Sequence, residues 1–300
     1  MNDFSDNPVR ISLPSKGRLE IDTLAFLEAC GLTVYKPNPR QYEARIPNLP
    51  GLVVLFQRPG DIVVSVRDGS VDFGISGLDV IEERGGSNGK ILILHDDLGF
   101  GACRLQLAVP ETLKGVTGVP DLVKYAASLD TPLRVATKYP NLTGRFMDKA
   151  GIRYSFISAE GTLETAPSIG YADMISDLVS SGQTLRDNRL RPLPDGIILR
   201  SQAALIANRA VLKTNPSALQ MARQLLEYFE AYLRARDNLS VAANIRGESG
   251  EAIASRLFNE TSAVGLQGPT ISRVFVRDGN PNWYAIHLIV RRENLFRVIS

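Results

Sequence analysis

Tyr171-Ala-Asp-Met-Ile-Ser-Asp-Leu-Val-Ser-Ser-Gly-Gln-Thr-Leu185 is the stretch that decides the fold of this 300-residue chain. Its first half predicts a buried strand that carries Asp173 and Asp177, residues 180–184 predict a loop, and a helix is expected from Leu185. A strand that delivers a Ser/Gly/Thr loop to a helix start offers backbone N–H groups and hydroxyls, which suit a phosphate monoester. Asp177 would repel a bare phosphate, so the pattern favours a phosphorylated ribose. An ordinary strand–turn–helix with a capping Ser or Thr fits the same residues equally well.

Short apolar strands and helices alternate on both sides of this stretch. Val9–Leu13 and Leu52–Phe56 predict strands before it, and a helix is predicted from Leu78 to about Arg84. The same pattern restarts with predicted strands at Arg104–Pro110 and Leu133–Thr137. The alternation is typical of α/β layering with mainly parallel sheets, and its restart predicts a second α/β lobe. Asp72-Phe-Gly-Ile-Ser76 and Asp173-Met-Ile-Ser176 look alike, which hints at duplicated lobes. We expect the two lobes to face each other across a cleft that binds ligands at the carboxyl ends of their strands.

The last third of the chain predicts a separate module. Ile197–Ala207 predicts a strand that returns to the first lobe, and Asn215-Pro216 caps a long helix that runs to about Arg236. The remaining residues give signals for strand, helix, strand, strand and helix, which is most of a ferredoxin-like βαββαβ module. We expect its last strand to be missing, as in a truncated chain. The predicted division is 1–103 with 190–222 for lobe I, 104–189 for lobe II, and 223–300 for the C-terminal domain.

Composition narrows the classes of protein that this chain can represent. With 44% hydrophobic and 22% charged residues it suits a globular protein with a large core, and a net charge of +2 offers no field for nucleic acid. Two cysteines, Cys30 and Cys103, fit a reducing compartment, and we find no secretory signal or transmembrane run. A cytoplasmic location is therefore expected, without nucleic-acid or membrane partners. His95 and His287 are the only histidines, so neither a His-based triad nor a His/Cys metal site is expected.

Several polar residues follow predicted strands, each with a structural alternative. Lys16 and Arg18 flank a glycine that permits close approach to a phosphate, although a solvated turn explains them as well. Arg58 is placed to reach into a cleft. Tyr139 offers a ring on which a base can stack. Residues 161–167 predict the start of a short helix that runs to Ile169, in which Glu164 fits either a ribose ligand or a first-turn helix acid.

Taken in order, these segments resemble the ATP phosphoribosyltransferase family over residues 9 to 210. The tail is similar to the regulatory domain of the family's long form, through Gly268-Pro-Thr-Ile-Ser272 and Trp283-Tyr-Ala-Ile-His287. The chain departs from the family pattern at Val63 and Ser65 and in its missing final strand. The residues that carry the resemblance are Leu13-Pro14, Lys16-Gly-Arg-Leu19, Arg58-x-x-Asp61-Ile62, Asp68-Gly-x-x-Asp72-x-Gly-Ile-x-Gly77-Leu-Asp79, Gly101-x-Cys-Arg-Leu105, Ala136-Thr-x-Tyr-Pro-x-Leu142, Glu164-x-Ala-Pro167 and Ala172-Asp-x-Ile-x-Asp-Leu-Val-Ser-x-Gly-x-Thr-Leu185.

The resemblance implies two periplasmic-binding-protein-like lobes around a cleft, followed by a ferredoxin-like (ACT-like) regulatory domain. It implies transfer of the phosphoribosyl group from phosphoribosyl pyrophosphate to N1 of ATP in the first step of histidine biosynthesis. Mg²⁺ is expected as cofactor, held mainly by substrate phosphates, so no metal ligand is assigned. Histidine is expected as feedback inhibitor at Pro269, Thr270 and Ser272. The protein is expected to be a homo-oligomer, either a dimer or a hexamer.

The same resemblance distributes the site residues between the lobes. Arg58 and Asp177 are the expected catalytic residues. Lobe II is expected to bind phosphoribosyl pyrophosphate through Glu164, Asp173, Asp177, Leu178, Val179, Ser180, Ser181, Gly182, Gln183, Thr184 and Leu185. Lobe I and the crossing between lobes are expected to bind ATP through Lys16, Gly17, Arg18, Arg58, Asp79, Cys103, Arg104 and Tyr139.

Two other functions stay open on the sequence alone. A two-lobed solute-binding or sensor protein also closes over small anions, but it does not need the arrangement from Asp177 to Thr184. A regulatory paralogue would bind nucleotide without turnover. Release of pyrophosphate from ATP and phosphoribosyl pyrophosphate separates these two from the enzyme.

Overall fold

The computed structural model describes residues 8–36, 38, 41, 43–157, 163–260, 268–276 and 282–299. Gly161 and Thr162, which were expected to open a helix, and Ser300 lie outside the described residues. The chain divides into two compact units, Met1–Leu226 and Glu227–Ser300. Among the described residues, no helix is long and apolar enough to cross a membrane.

Lobe I is built on a six-stranded sheet in the order β2-β3-β1-β4-β11-β5, in which β11 is Ala203–Asn208. Its parallel strands β1, β3 and β4 are largely buried, as expected where helices cover both faces. Gly74 lets a helix approach the sheet closely, because a Cβ there would lie 2.4 Å from Cγ2 of Ile62. The elements are β1 (Val9–Pro14), α1 (Gly17–Ala29), β2 (Glu43–Arg45), β3 (Leu52–Gln57), α2 (Pro59–Asp68), β4 (Phe73–Gly77), α3 (Leu78–Arg84) and β5 (Ile91–His95).

Lobe II is built on a five-stranded sheet in the order β10-β6-β9-β7-β8. Apolar clusters cover both of its faces, around Leu107 and Met174 on one and around Ala108 and Ile175 on the other. A single 3₁₀ turn, Leu163–Thr165, precedes β9 where a longer helix was expected. The elements are β6 (Cys103–Pro110), α4 (Val119–Ala127), β7 (Leu133–Thr137), α5 (Pro140–Lys149), β8 (Tyr154–Ile157), β9 (Met174–Val179), α6 (Gln183–Asp187) and β10 (Leu190–Ser201).

The chain crosses between the lobes twice, so the lobe I sheet receives one strand only after the chain has passed through lobe II. After β5 it enters lobe II at β6, and after β10 it returns to lobe I at β11 (Ala203–Asn208). Gln202 alone makes the return, with its carbonyl accepting from Leu78 N at 2.9 Å and its Nε2 donating to Asp96 O at 3.0 Å. The sequence had predicted one strand over Ile197–Ala207 and had placed 190–222 in lobe I. That boundary is corrected, because β10 pairs with β6 up to Ser201.

The two lobes share the same strand order and one equivalent side-chain contact. The orders β3-β1-β4 and β8-β7-β9 are equivalent, and each is followed by an antiparallel strand. At the start of β4, Asp72 Oδ2 accepts from Arg10 N at 2.7 Å. At the start of β9, Asp173 Oδ2 accepts from Arg134 N at 2.8 Å. The similar peptides that hinted at duplication therefore occupy the same place in both lobes.

The second unit is a small α+β module that follows the end of a long helix. Its antiparallel sheet has the order β12-β14-β13, the first–third–second order of a ferredoxin-like fold. Ile253, Ile286, Leu288 and Val290 form its core. The predicted fold class is thus confirmed for both units, while the missing last strand stays a prediction. The remaining elements are α7 (Arg209–Thr214), α8 (Pro216–Arg236), β12 (Asn238–Arg246), α9 (Gly250–Glu260), β13 (Thr270–Arg273), β14 (Trp283–Arg291) and α10 (Leu295–Ile299).

Candidate active site

A cavity of ≈ 320 Å³ lies between the two lobes at the carboxyl ends of their strands. It sits where the chain first crosses between lobes, which is the position expected for a ligand in such a fold. Both lobes contribute to its lining, which includes Arg18, Asp79, Gly101, Cys103, Tyr139, Leu178 and Ser180. Six of these seven, all except Gly101, were predicted for the ATP or phosphoribosyl groups from separate segments, and the fold brings them to one cleft.

A buried carboxylate ties the lobes together at this cavity. Asp79, only 3% exposed, accepts from the Tyr139 hydroxyl at 2.7 Å on Oδ2 and from Ser201 Oγ at 2.6 Å on Oδ1. Gly77 makes this possible, because a Cβ there would stand 2.3 Å from Asp79 Oδ1. Ser201 was not predicted from the sequence, and a lone serine at the end of a strand gives no signal for its role.

The environment of this network fixes two protonation states. Burial, reinforced by the charge of Asp79, raises the pKa of Tyr139 far above its usual value, so its hydroxyl stays a donor. Burial and the same charge raise the pKa of Cys103, although a hydrogen bond with Ser201 opposes the shift. A thiol with a raised pKa is a poor nucleophile, so Cys103 serves as a lining residue of the cavity.

Successive side chains of β6 point to opposite faces of the sheet, so Cys103 and Arg104 lie on different faces. The sequence had grouped these two residues together. Arg104 lies on the opposite face, where its Nε donates to Oε1 of Gln106 at 2.6 Å, and Gln106 Nε2 donates to Leu193 O at 2.6 Å. Gln106 is 3% exposed and stands directly opposite Asp177 in the β6–β9 register. Arg104 therefore shares a face with Asp177. A polar residue two places after Arg104 in an apolar strand was the signal that could have revealed Gln106.

Asp177 lies near the end of β9 in the environment that the sequence predicted for a ribose ligand. Burial raises its pKa, as does the nearby charge of Glu164, while a hydrogen bond from Leu178 N at 2.8 Å and the charge of Lys138 lower it. Asp177 lies near the end of β9 and Lys138 directly after β7, and Glu164 is near enough for its charge to act on Asp177. Carboxylates can accept hydrogen bonds from a pair of sugar hydroxyls.

The loop after β9 presents small polar residues to solvent. Ser180, Ser181 and Thr184 are exposed, and Gly182 has a φ of +73°, which permits the tight turn. The helix begins at Gln183, two residues earlier than predicted, and Ser181 Oγ accepts from Gln183 N at 3.3 Å. Gln183 is itself held by Asp187 and Arg186, at 2.6 and 2.9 Å.

Asp173 does not join this group, although the sequence assigned it to the ribose. It precedes β9, four residues before Asp177, so roughly 13 Å of extended chain separates the two. Its carboxylate is occupied by the guanidinium and backbone N–H of Arg134, at 2.6 and 2.8 Å. Asp173 is therefore a structural residue of lobe II.

The predicted cations around lobe I are exposed and accessible. Arg18 pairs with Asp22, at 3.4 Å, and its side chain is 87% exposed, while Gly17 has a φ of +75° at the start of α1. Lys16 and Arg58 precede α1 and α2. In the part of the chain that the structure describes, neither of their side chains takes part in a hydrogen bond or ion pair. Both side chains are exposed.

The predicted histidine-site residues lie in the second unit. Thr270 and Ser272 are exposed on β13, opposite His287 and Ala285 of β14, and Pro269 comes just before the strand. Their placement on one strand agrees with the spacing of the sequence motif, and their role stays a prediction.

The fold is a two-lobed α/β cleft with carboxylates, a small-residue loop and exposed cations near the ends of its strands, and these groups are chemically suited to phosphorylated sugars and nucleotides. Comparison with known proteins names the family. Residues 58–230 match the family model of ATP phosphoribosyltransferase (HisG), and residues 235–300 match the model of the HisG C-terminal domain. The chain therefore belongs to the ATP phosphoribosyltransferase family and is an enzyme of the pentosyltransferase class, which confirms the resemblance to its long form.

Individual relatives agree over most of the chain. The chloroplastic ATP phosphoribosyltransferase 2 of Arabidopsis thaliana is 43% identical, over 97% of this chain and 72% of its own length. The ATP phosphoribosyltransferase of Gemmatimonas aurantiaca is 36% identical, over 97% of this chain and 93% of its own. The ATP phosphoribosyl transferase (HisG:HisZ) complex from Thermotoga maritima has a chain of the same fold, with a TM-score of 0.59 and 24% identity over 75% of this chain and 98% of that one.

Proposed function

We propose that this enzyme transfers the 5-phosphoribosyl group of phosphoribosyl pyrophosphate to N1 of ATP, as the first step of histidine biosynthesis. One observation carries the proposal: Asp177, whose pKa is raised by burial and by the charge of Glu164, lies beside an exposed Ser/Gly/Thr loop whose first residue, Ser180, lines the inter-lobe cavity. A carboxylate pair next to a phosphate-binding loop matches a sugar that carries both hydroxyls and a 5-phosphate. The chain's family membership supplies the second substrate, ATP.

The donor is proposed to bind at the end of β9. Ser180, Ser181 and Thr184 offer hydroxyls and backbone N–H groups to the 5-phosphate, while Asp177 and Glu164 accept hydrogen bonds from the ribose hydroxyls. The half-buried Asp177 carries its negative charge in a poorly solvated place, so it also stabilises positive charge that develops at C1. Arg104, held on the same face by Gln106, is available to the donor rather than to the adenine.

The acceptor is proposed to bind against Tyr139 and the exposed cations of lobe I. Since the Tyr139 hydroxyl is bound to Asp79, the side chain offers a base only the face of its ring. Lys16 and Arg18 would meet the triphosphate. Adenine N1 then attacks C1 with its lone pair, the bond between C1 and the pyrophosphate oxygen breaks, and pyrophosphate leaves.

Arg58 is proposed to stabilise the leaving pyrophosphate. It stands at the start of α2 with its guanidinium unengaged by described residues, so no existing bond has to break when a phosphate arrives. Fixed geometry and charge complementarity would supply most of the catalysis, because the nucleophile needs no strong base.

Mg²⁺ is proposed as the cofactor, held mainly by substrate phosphates. Within the described ranges, no three His, Cys, Asp or Glu residues come together as a metal site. One or two carboxylates with phosphate oxygens and water are a usual donor set for Mg²⁺, and Asp177 with Glu164 fits it. When bound, the ion would neutralise charge on the leaving pyrophosphate.

Regulation and assembly follow the same proposal. Histidine is proposed to inhibit at Pro269, Thr270 and Ser272. The protein is proposed to be a homo-oligomer, either a dimer or a hexamer. A cytoplasmic location is proposed because Cys30 and Cys103 are both free thiols. Light scattering after size exclusion, and inhibition assays with a Ser272→Ala variant, test the first two points.

The decisive assay measures pyrophosphate release with ATP, phosphoribosyl pyrophosphate and Mg²⁺ together, and with each omitted in turn. Release that needs all three, with formation of phosphoribosyl-ATP in equal amount, is the expected result. Binding of either substrate without any release would instead identify a solute-binding protein or a regulatory paralogue.

A further inference from the structure

The first turn of α5 in lobe II is capped by a carboxylate from lobe I. Glu83 of α3 accepts from Asn141 N on Oε1 and from Leu142 N on Oε2, both at 2.9 Å. The carbonyl of Glu83 also accepts from Asn141 Nδ2 at 3.2 Å. The helix has no side-chain cap of its own, because Tyr139 occupies the N-cap position. Glu83 thus satisfies two backbone donors that a helix start normally leaves open.

Glu83 and Asp79 lie four residues apart on α3 and therefore share one face of that helix. Asp79 holds the hydroxyl of Tyr139, and Glu83 holds the backbone just beyond it. The two carboxylates consequently fix both ends of one short segment: the ring that faces the cavity and the helix turn that carries it.

Glu83 is 8% exposed, so the protein has removed most of a charged group from water. Such a group is stable only with strong partners, which here are two charge-assisted hydrogen bonds and the positive end of a helix dipole. All of these partners belong to the opposite lobe. If the lobes moved apart, both hydrogen bonds between the carboxylate and the two N–H groups would break at once.

We propose that Glu83 is a positioning residue of the cleft: by capping α5 from the opposite lobe, it fixes Tyr139 at the cavity and holds the lobes in a binding-competent arrangement. Its kinetic consequence rests on the proposed function, in which Tyr139 meets the base of ATP. Its structural consequence, protection of the two amides, does not.

The test compares Glu83→Ala and Glu83→Gln with Glu82→Gln, the neighbouring exposed glutamate of the same helix. Hydrogen exchange at the Asn141 and Leu142 amides should accelerate at least about tenfold in Glu83→Ala and remain at the parental rate in Glu82→Gln. Glu83→Gln keeps one carbonyl acceptor in the same shape, so one of the two amides should stay protected. This variant also serves if Glu83→Ala fails to fold.

The kinetic arm separates positioning from mere stability. In Glu83→Ala the KM for ATP should rise about tenfold while kcat per folded molecule falls less than about threefold, with partial rescue in Glu83→Gln. A role confined to stability would lower the folded fraction and leave KM unchanged. Unchanged KM together with unchanged amide exchange overturns the inference even if the parent enzyme turns over. A parent that releases no pyrophosphate overturns the proposed function, and the exchange result then still decides the capping role.

Discussion

Replacing Tyr139 with Phe tests the network that joins the two lobes at the cavity. The substitution removes one oxygen and leaves the ring, so the change isolates the hydrogen bond to Asp79 at 2.7 Å. Asp79 keeps its bond from Ser201 Oγ, so its carboxylate is not left without donors. A hydrogen bond to a charged group contributes about 1.5–3 kcal/mol, and we therefore expect a loss of about 2 kcal/mol in the free energy of unfolding.

Thermal and urea unfolding of the variant measure this loss. In a unit of this size a loss of about 2 kcal/mol corresponds to a decrease of about 4–8 °C in Tm. Tyr171→Phe is the matched control, because that tyrosine is 51% exposed and its hydroxyl takes part in no hydrogen bond with the described residues. We expect its Tm to stay within about 2 °C of the parent.

A double-mutant cycle with Asp79→Ala assigns the effect to the carboxylate. Once Asp79 is gone, the hydroxyl of Tyr139 has lost its acceptor, so Tyr139→Phe should then cost less than about 0.5 kcal/mol. The coupling energy between the two positions should therefore be about 1.5 kcal/mol or more. Equal costs of Tyr139→Phe with and without Asp79 would refute the assignment, because the hydroxyl would then be stabilising the fold through some other group.

The remaining predictions concern the proposed substrate contacts. Arg58→Ala should lower kcat about 10²-fold with little change in ATP affinity, measured by steady-state kinetics and titration beside Arg67→Ala at the far end of α2; equal losses in both quantities remove the proposed transition-state role. Thr184→Val should weaken phosphoribosyl pyrophosphate binding by about 1.5–3 kcal/mol, and calorimetry that finds unchanged affinity rejects the loop assignment. Asp177→Asn should be more stable than the parent near pH 8 and lose this advantage near pH 4. The reason is that a carboxyl group with a raised folded-state pKa contributes stability below its unfolded pKa of about 4, and this contribution disappears as the pH rises through the folded-state pKa. Urea titrations at both pH values check this, and a variant less stable than the parent at pH 8 contradicts it.

Local patterns predicted the elements well where the pattern and the burial agree. The strand Leu133–Thr137 and the helix Leu78–Arg84 were predicted with the boundaries that the structure has. The edge strands β2 and β5 were missed. β2 is only three residues long, and Ala44 is its one apolar residue, so it gives no strand signal. β5 is an apolar run, Ile-Leu-Ile-Leu-His, which does predict a strand but was overlooked.

The site was predictable as a set of segments but not as a set of contacts. Asp177 and the loop that follows it stand where the sequence placed them, because strand, acid and turn are adjacent in the chain. Asp173 looked equivalent on the same strand, and only the position of Arg134 shows that its carboxylate is already occupied. Ser201 and Glu83 act on groups 122 and 58 residues away, and no local pattern carries such a distance.

The duplicated lobes account for how the cleft would hold the two proposed substrates. The aspartates at the starts of β4 and β9, Asp72 and Asp173, make the same backbone contact in both lobes, so each lobe presents the carboxyl ends of equivalent strands to the cleft. The helix that follows β4 bears the two carboxylates that hold lobe II, whereas β9 is followed by the exposed loop proposed for the sugar phosphate. Equivalent positions thus differ: one holds the lobes together, and the other is the proposed site of the donor. This division suits a reaction that joins a sugar to a base, because each lobe can hold one reactant and the contacts between the lobes fix the distance between the attacking nitrogen and C1.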